Sequence, residues 1–182
     1  MHEGTHSQMD QPSAWVERWA PRIPAGGTVL DVACGGGRHA RWLAARGYRV
    51  EAVDLDAQAC GALAGIAGIH TRVADLEGGA WPYAGACFAG IVVANYLHRP
   101  RLPLLVRSLA PGGVLIYETF AAGNERYGRP RNPDFLLKPG ELLQAAHGHL
   151  EVIAYENLTI TGPRPAVVQR MCAVNGEFAS RG

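Results

Sequence analysis

The chain has 182 residues, of which 48% are apolar, and a formal net charge of +1. This length and composition are typical of one globular domain, and the near-neutral charge argues against nucleic-acid or membrane-surface partners. No apolar run approaches the roughly 18 residues that a membrane span needs. We expect a cytoplasmic protein in which residues 12–182 form a single domain and the polar residues 1–11 form a flexible arm.

The four cysteines argue against a disulfide framework and against a metal site. They form no Cys-x-x-Cys pair, and no histidine stands at zinc-ligand spacing from them. We therefore interpret them as small buried residues in a reducing compartment, and we predict no metal.

Apolar runs alternate with helical stretches along the chain. A short helix over residues 14–20 carries Trp15 and Trp19 at i,i+4 spacing. Strands are predicted at 28–33, 48–53, 69–74, 88–94 and 114–120. Helices at 38–46, 57–66 and 103–109 connect them, except that a loop at 78–85 lies between the third and fourth strands. A long polar loop, a helix and two final strands follow at 121–132, 140–147, 150–157 and 167–174.

This alternation predicts a doubly wound α/β fold with a seven-stranded, mostly parallel sheet and helices on both faces. The last two strands lack a helix between them, so we expect them to form a C-terminal antiparallel hairpin at one edge. In such sheets ligands bind outside the carboxyl ends of the strands, where the strand order reverses.

The strongest local signal is a strand, a glycine turn and a helix within residues 29–40. Three glycines stand at 35–37, where they allow a tight turn and close approach of a ligand to the backbone. A helix that starts after such a turn presents N–H groups to a ligand. The pattern predicts a nucleotide-like cofactor.

One interpretation is a nicotinamide or flavin dinucleotide. Gly35, Gly37 and Ala40 satisfy G-x-G-x-x-A, and Asp54 ends the next strand, as that fingerprint requires. Taken alone, this short motif is weakly specific.

Four landmarks favour another cofactor. They are Leu-Asp-Val-Ala-Cys-Gly-Gly-Gly at 30–37, Val-Asp-Leu-Asp at 53–56, Ala-Asp-Leu-Glu at 74–77 and Leu-Ala-Pro-Gly-Gly at 109–113. With them, residues 28–120 resemble the class I, Rossmann-like methyltransferases that use S-adenosylmethionine. The small size and the Cys-Gly-Gly-Gly-Arg-His sequence loosely resemble the tellurite-resistance and thiopurine methyltransferases.

The resemblance implies a set of cofactor-binding residues at the strand ends. Asp54 would accept hydrogen bonds from the ribose hydroxyls, Leu55 would pack on the adenine, and Asp75 would accept from its amino group. Alternatively, Asp54 and Asp75 only cap the next helix or turn. The full predicted set is Asp31, Ala33, Cys34, Gly35, Gly37, Arg38, Asp54, Leu55, Asp75, Leu76 and Asn95.

The segment after the fourth strand is predicted to face the transferred methyl group. Asn95, Tyr96 and His98 are the candidate catalytic residues, and His98 has a side chain suited to act as a general base near neutral pH. A local hydrogen bond in a turn is the alternative role of His98. The Asp/Asn-Pro-Pro-aromatic motif of amino-group methyltransferases is absent.

The 121–133 loop is predicted to form a lid over the substrate. Arg126, Tyr127 and Arg129 suit an anionic or planar ligand, and Glu118 could point into the same site. The alternatives are a solvated loop and an ion pair between Glu118 and an arginine.

Together these features predict an enzyme that transfers a methyl group from S-adenosylmethionine to a small-molecule acceptor, leaving S-adenosylhomocysteine. A monomer or homodimer is expected. The alternatives are an RNA or protein methyltransferase, a non-catalytic S-adenosylmethionine-binding protein and, least favoured, a dinucleotide-dependent oxidoreductase. The Pro-Gly-Gly sequence and the final hairpin argue against the last of these.

Overall fold

A computed structural model gives the structure of residues 11–162 and 164–176. Apart from Gln11, the predicted N-terminal arm lies outside the described residues. The strands are β1 Thr28–Val32, β2 Arg49–Asp54, β3 Ile69–Val73, β4 Phe88–Ala94, β5 Leu109–Phe120, β6 Glu151–Ile160 and β7 Ala166–Val174.

These strands form one sheet in the order β3-β2-β1-β4-β5-β7-β6. Neighbours from β3 to β5 are parallel, whereas β7 runs antiparallel to both β5 and β6. The predicted seven-stranded sheet with its C-terminal hairpin is therefore confirmed. The order reverses between β1 and β4, so the ends of these strands open a crevice for a ligand.

Helices cover both faces of the sheet, as predicted. Their bounds are α1 Ala14–Trp19, α2 Arg38–Ala44, α3 Ala57–Gly61, α4 Leu102–Arg107 and α5 Glu141–Ala146. No helix in the described part of the chain has the length and apolar character needed to cross a membrane.

Side chains that point alternately to the two faces of the sheet form two hydrophobic cores, one on each face. Val29 of β1 packs in the core beneath α1 and α2, whereas its neighbour Leu30 packs in the core beneath α4 and α5. Successive side chains of a strand point to opposite faces, so one apolar strand supplies both cores. Packing of helices on both faces of the sheet holds the ends of the strands in fixed positions.

Local sequence explains the helix ends. Ser13 caps α1 by accepting from the Trp15 N–H, and the rings of Trp15 and Trp19 meet edge to face with centroids 5.6 Å apart. The helix predicted over 57–66 ends at Gly61, and Gly65 adopts a φ of 82°. Glycine is the poorest helix former after proline, which accounts for the early end.

Two predictions need correction. The Pro-Gly-Gly sequence lies inside β5, which begins at Leu109 with a register shift opposite β4. A Cβ on Gly113 would lie 2.7 Å from the Phe88 carbonyl oxygen, so a glycine allows the two strands to approach there. Cys87 is exposed in the loop before β4, whereas the other three cysteines are buried as expected.

Candidate ligand site at the carboxyl ends of the strands

The glycine turn after β1 is fastened to the end of β2. The Gly35 N–H donates to Oδ2 of Asp54 over 2.7 Å, and the Cys34 N–H donates to the Val53 carbonyl over 3.0 Å. Ala33 and Gly35 both adopt a φ of 52°. A Cβ built on Gly35 or Gly36 would meet no atom within 4 Å, so this side of the turn is open to a ligand.

A cavity of about 680 Å³ lies against this turn, and we call it the turn cavity. Its volume is in the range of small-molecule sites. It is lined by residues from the ends of β1 and β4 and the start of α2, namely Asp31, Ala33, Cys34, Gly35, Gly36, Arg38, His39, Arg41, Ala94 and Asn95. Six predicted cofactor residues therefore meet in one place.

Gly37, also predicted as a ligand contact, has a different environment. It is buried at the start of α2 with a φ of 74°, and an added Cβ would lie 2.4 Å from a Leu63 methyl carbon. Gly37 thus permits packing of the turn on Leu63. Gly36, which we did not predict, lines the turn cavity instead.

Asp31 places an unpartnered carboxylate oxygen in the wall of the turn cavity. The residue is 1% exposed, and its Oδ2 has no hydrogen-bond partner among the described residues. Burial raises the pKa of Asp31 to about 7, although an Ala40 backbone hydrogen bond and the Arg38 charge oppose the shift. A cationic ligand group such as an ammonium would satisfy this oxygen.

Two other groups in the cavity wall are neutral. Burial raises the pKa of the Cys34 thiol, and the Asp31 charge adds to that rise. Burial and the Arg38 charge lower the pKa of His39 to about 3, and its Nε2 accepts from the Ser13 N–H over 3.1 Å. His39 connects α2 to α1, a contact that no sequence motif indicated.

Asp54 shapes the turn and does not cap α3. Its Oδ1 accepts from the Asp56 N–H over 2.9 Å, while Asp56 itself caps the helix. Each carboxylate oxygen can accept a further hydrogen bond. Leu55, next to it, is 67% exposed and offers an apolar surface beside the turn.

Asp75 caps a turn, as the alternative prediction proposed. Its Oδ1 accepts from the N–H groups of Gly78 and Glu77 over 2.9 and 2.8 Å, and these bonds lower its pKa. The Leu76 side chain is 5% exposed and belongs to the core. Arg101 holds this turn by donating to the Leu76 and Gly79 carbonyls.

A second cavity of about 770 Å³ shares Arg38 and Asn95 with the turn cavity. We call it the loop cavity. It is lined by α1, the 121–133 loop, β5 and the β6–β7 turn, through Ser13, Ala14, Arg38, Asn95, Glu118, Phe120, Asn124, Tyr127, Gly128, Arg129, Ile160, Arg164, Pro165, Ala166, Val168 and Arg170. Asn95, with a φ of 56°, stands where the two cavities meet.

Three of the four predicted substrate residues, Glu118, Tyr127 and Arg129, line the loop cavity, whereas Arg126 is exposed outside it. Both carboxylate oxygens of Glu118 have protein partners. Its Oε1 accepts from the Ser13 hydroxyl over 2.7 Å, and its Oε2 pairs with Arg170. The ion pair weighed as the alternative for Glu118 is therefore present.

The 121–133 loop is built as an ordered wall. It contains the 3-10 turn Asn124–Arg126, and a second 3-10 turn, Pro133–Phe135, begins at its last residue. Asn124 is 1% exposed, donates to the Pro130 carbonyl over 3.2 Å and accepts from the Val167 N–H over 3.2 Å. These bonds attach the loop to β7.

Tyr96 and His98 lie away from the two main cavities. Tyr96 lines a smaller cavity of about 350 Å³ that also includes Asn95. The buried Tyr96 hydroxyl has no partner among the described residues, and burial with the nearby Glu77 charge raises its pKa to about 12. His98 is half-buried and lines none of these three cavities.

The strand order, the glycine turn and the paired cavities define a class I, Rossmann-like methyltransferase fold. In agreement, residues 29–113 match the family described as a methyltransferase domain. The predicted resemblance to the class I S-adenosylmethionine-dependent methyltransferases is confirmed by this match, and TehB shares the fold.

Two solved structures and one curated relative illustrate this similarity. TehB from Haemophilus influenzae matches with a TM-score of 0.68 and 20% identity over 88% of this chain and 61% of its own. A TehB-like, S-adenosylmethionine-dependent methyltransferase from Corynebacterium glutamicum matches with a TM-score of 0.66 and 20% identity. That match covers 93% of this chain and 91% of the other. The malonyl-acyl-carrier-protein O-methyltransferase of Serratia marcescens is 33% identical over 141 residues, 74% of this chain. The chain spans 50% of that relative's length.

Proposed function

We propose that the protein is an S-adenosylmethionine-dependent methyltransferase that acts on a small-molecule acceptor. The observation that carries the proposal is the buried Oδ2 of Asp31, which has no hydrogen-bond partner among the described residues. It lies in the wall of a cavity that is bordered by a glycine turn and shares Arg38 and Asn95 with a second cavity. An ammonium group needs such an anionic partner, and a transfer reaction needs the second compartment.

The residues of the turn cavity fit this cofactor. Asp31 would hold its ammonium group, and Arg38, which lines both cavities, would meet its carboxylate. On the open surface next to the turn, Asp54 would contact the ribose and Leu55 would contact the adenine. Asp75 would accept a hydrogen bond from the adenine amino group. When bound, S-adenosylmethionine supplies a methyl group activated by a positively charged sulfur.

The contribution of the chain to the transfer is mainly orientation. Asn95 stands at the junction of the cavities, with its backbone fixed by a 2.9 Å hydrogen bond from its N–H to the Glu118 carbonyl. The raised pKa of Tyr96 keeps its hydroxyl protonated well above neutral pH, so the hydroxyl can donate a hydrogen bond. His98 stays a prediction as general base. Correct placement of two reactants alone accelerates such displacements strongly.

The location, assembly and acceptor size also belong to this proposal. We propose a cytoplasmic monomer or homodimer, without nucleic-acid or membrane partners. The net charge of +1 disfavours an RNA substrate, although seven basic residues lie between Arg99 and Lys138 against three acidic ones. The loop cavity, at about 770 Å³, matches a small molecule.

Calorimetric titration with S-adenosylmethionine and S-adenosylhomocysteine tests the proposal, with NAD and NADPH as controls. We expect micromolar binding of the first two alone. Asp31→Asn, which keeps the shape of the side chain, should weaken binding about tenfold or more, since a charge-assisted contact is lost. The exposed Asp134→Asn variant is the matched control.

A screen for conversion of S-adenosylmethionine to S-adenosylhomocysteine with small acceptors completes the test. Nicotinamide nucleotide binding in place of the sulfonium ligand would refute the proposal. Tight cofactor binding with no turnover on any acceptor would favour a non-catalytic binding protein.

A further inference from the structure

We infer that the loop cavity binds a small organic anion, whose carboxylate or phosphate is held by Arg129 and Arg164. This inference rests on the proposed function, because it assigns the chemical class of the acceptor. Arg129 belongs to the 121–133 loop and Arg164 to the β6–β7 turn, so two arginines from different segments line the same cavity.

The charge in the cavity wall is strongly one-sided. Four arginines line it, Arg38, Arg129, Arg164 and Arg170, against the single acid Glu118. Arg170 is already neutralised, since it pairs with Glu118 and lies 3.3 Å from Glu156. Of the remaining three, Arg38 also lines the turn cavity, where it is assigned to the cofactor carboxylate. Arg129 and Arg164 are thus left without the one acid that could offset their charge.

Arg129 and Arg164 have no acidic partner in the described part of the chain. The ion pairs there join Glu51 to His70 and Arg72, Glu141 to Arg99, and Glu118 and Glu156 to Arg170. Arg38 donates to the Gln11 carbonyl over 3.2 Å. A guanidinium group binds carboxylate and phosphate in a paired geometry, so two free arginines at one cavity favour an anionic ligand.

The apolar residues in the wall of the loop cavity indicate that the anion also carries an apolar group. Phe120, Ile160, Pro165, Ala166 and Val168 contribute apolar side chains to the wall of the same cavity. An inorganic anion would leave this surface without a partner. A polyanion such as a nucleic acid is disfavoured, because the chain as a whole carries only +1.

Ligand-observed NMR and calorimetry with matched probes test the inference. The probes are 3-phenylpropanoate, its neutral amide and phenyl phosphate, each added to protein saturated with S-adenosylhomocysteine at low ionic strength. The variants are Arg129→Gln, Arg164→Gln and the double variant. Arg131→Gln is the control, because it changes an exposed arginine of the same loop that does not line the cavity.

We expect at least one anionic probe to bind, and the amide to bind about tenfold more weakly or not at all. Each single variant should weaken the anion about fivefold, since exposed charges are partly screened, and the double variant tenfold or more. Comparison of the two anions shows whether carboxylate or phosphate is preferred. Arg131→Gln should bind as the wild type does.

The inference is overturned if the amide binds as well as the anions, if neither anion binds at millimolar concentration, or if the double variant retains wild-type affinity. The affinity for S-adenosylhomocysteine, measured on the same samples, distinguishes this failure from that of the proposed function. Normal cofactor binding with no anion preference refutes the acceptor class alone, whereas absent cofactor binding refutes the function.

Discussion

Glu118 of β5 and Arg170 of β7 face each other across the antiparallel strand pair, and their side chains form an ion pair in the wall of the loop cavity. The Ser13 hydroxyl, which also caps α1, donates to the other Glu118 oxygen over 2.7 Å. One carboxylate thus joins two neighbouring strands to the N-terminal helix.

Arg170→Met should destabilise the protein. The Glu118 side chain is 10% exposed, and without the guanidinium its charge would have only the Ser13 hydroxyl as partner. We expect a loss of about 1–3 kcal/mol in the free energy of unfolding, measured in urea. Adding Glu118→Gln should recover part of that loss. An unchanged unfolding midpoint in Arg170→Met would contradict the assigned role.

The adjacent glycines Gly36 and Gly37 should respond differently to alanine. Gly37→Ala places a methyl group against Leu63 at a φ of 74°, so we expect a loss of about 2–4 kcal/mol. Gly36→Ala meets no atom within 4 Å and should retain the melting temperature while weakening S-adenosylhomocysteine binding. Thermal unfolding and calorimetry on both variants check this, and equal melting temperatures would refute it.

Asp31 should make stability depend on pH. Its pKa in the folded protein, about 7, exceeds the ordinary value of 3.8, so its contribution is full below pH 4 and is lost as the pH rises through 7. Ligand-free Asp31→Asn should therefore match the wild type near pH 4 and exceed it at pH 8, by about 4 kcal/mol at most.

Urea unfolding of the wild type and Asp31→Asn at several pH values measures this difference. A gap that is the same at pH 5 and pH 8 would show that Asp31 titrates normally. Asp134→Asn, at an exposed position, should show no trend relative to the wild type.

Arg101 should matter for the cofactor without touching the turn cavity. It fixes the turn after β3 through the Leu76 and Gly79 carbonyls, and this turn carries Asp75. Arg101→Met should weaken S-adenosylhomocysteine binding about three- to tenfold, because a looser turn costs more to order on binding. Arg107→Met, an exposed position on α4, is the control. Equal affinities in the two variants would contradict the prediction.

Short-range patterns predicted the sheet well. Apolar runs bounded by glycine, proline and acidic residues located all seven strands. For the central strands β1 and β4 the reason is that burial on both faces of a parallel sheet demands continuous apolar sequence. The predicted start of β5 was wrong. Pro-Gly-Gly is typical of a turn, but here it lies within the strand, where Gly113 allows close approach to Phe88 of β4. Packing between residues distant in the chain overrode the local turn preference, and such packing cannot be recognised from a short stretch of sequence.

The partners of charged side chains could not be predicted. Glu118 lies 52 residues from Arg170 and 105 from Ser13, so its neutralisation depends on the strand order and on the position of α1. The same holds for Arg164, which reaches the loop cavity only because the β6–β7 hairpin folds beside β5. The residues nearest the glycine turn were predicted because their geometry is set within one β-α unit.

The two cavities draw on different parts of the chain, and this division has a consequence for how the protein can change. The turn cavity uses residues between 31 and 95, whereas the loop cavity is built mainly from residues 118–170 together with Ser13 and Ala14. Under the proposed function, substitutions in the second set should alter which acceptor is methylated while the first set is left intact. A library confined to the loop and the β6–β7 turn should therefore diversify acceptor selectivity at constant cofactor affinity.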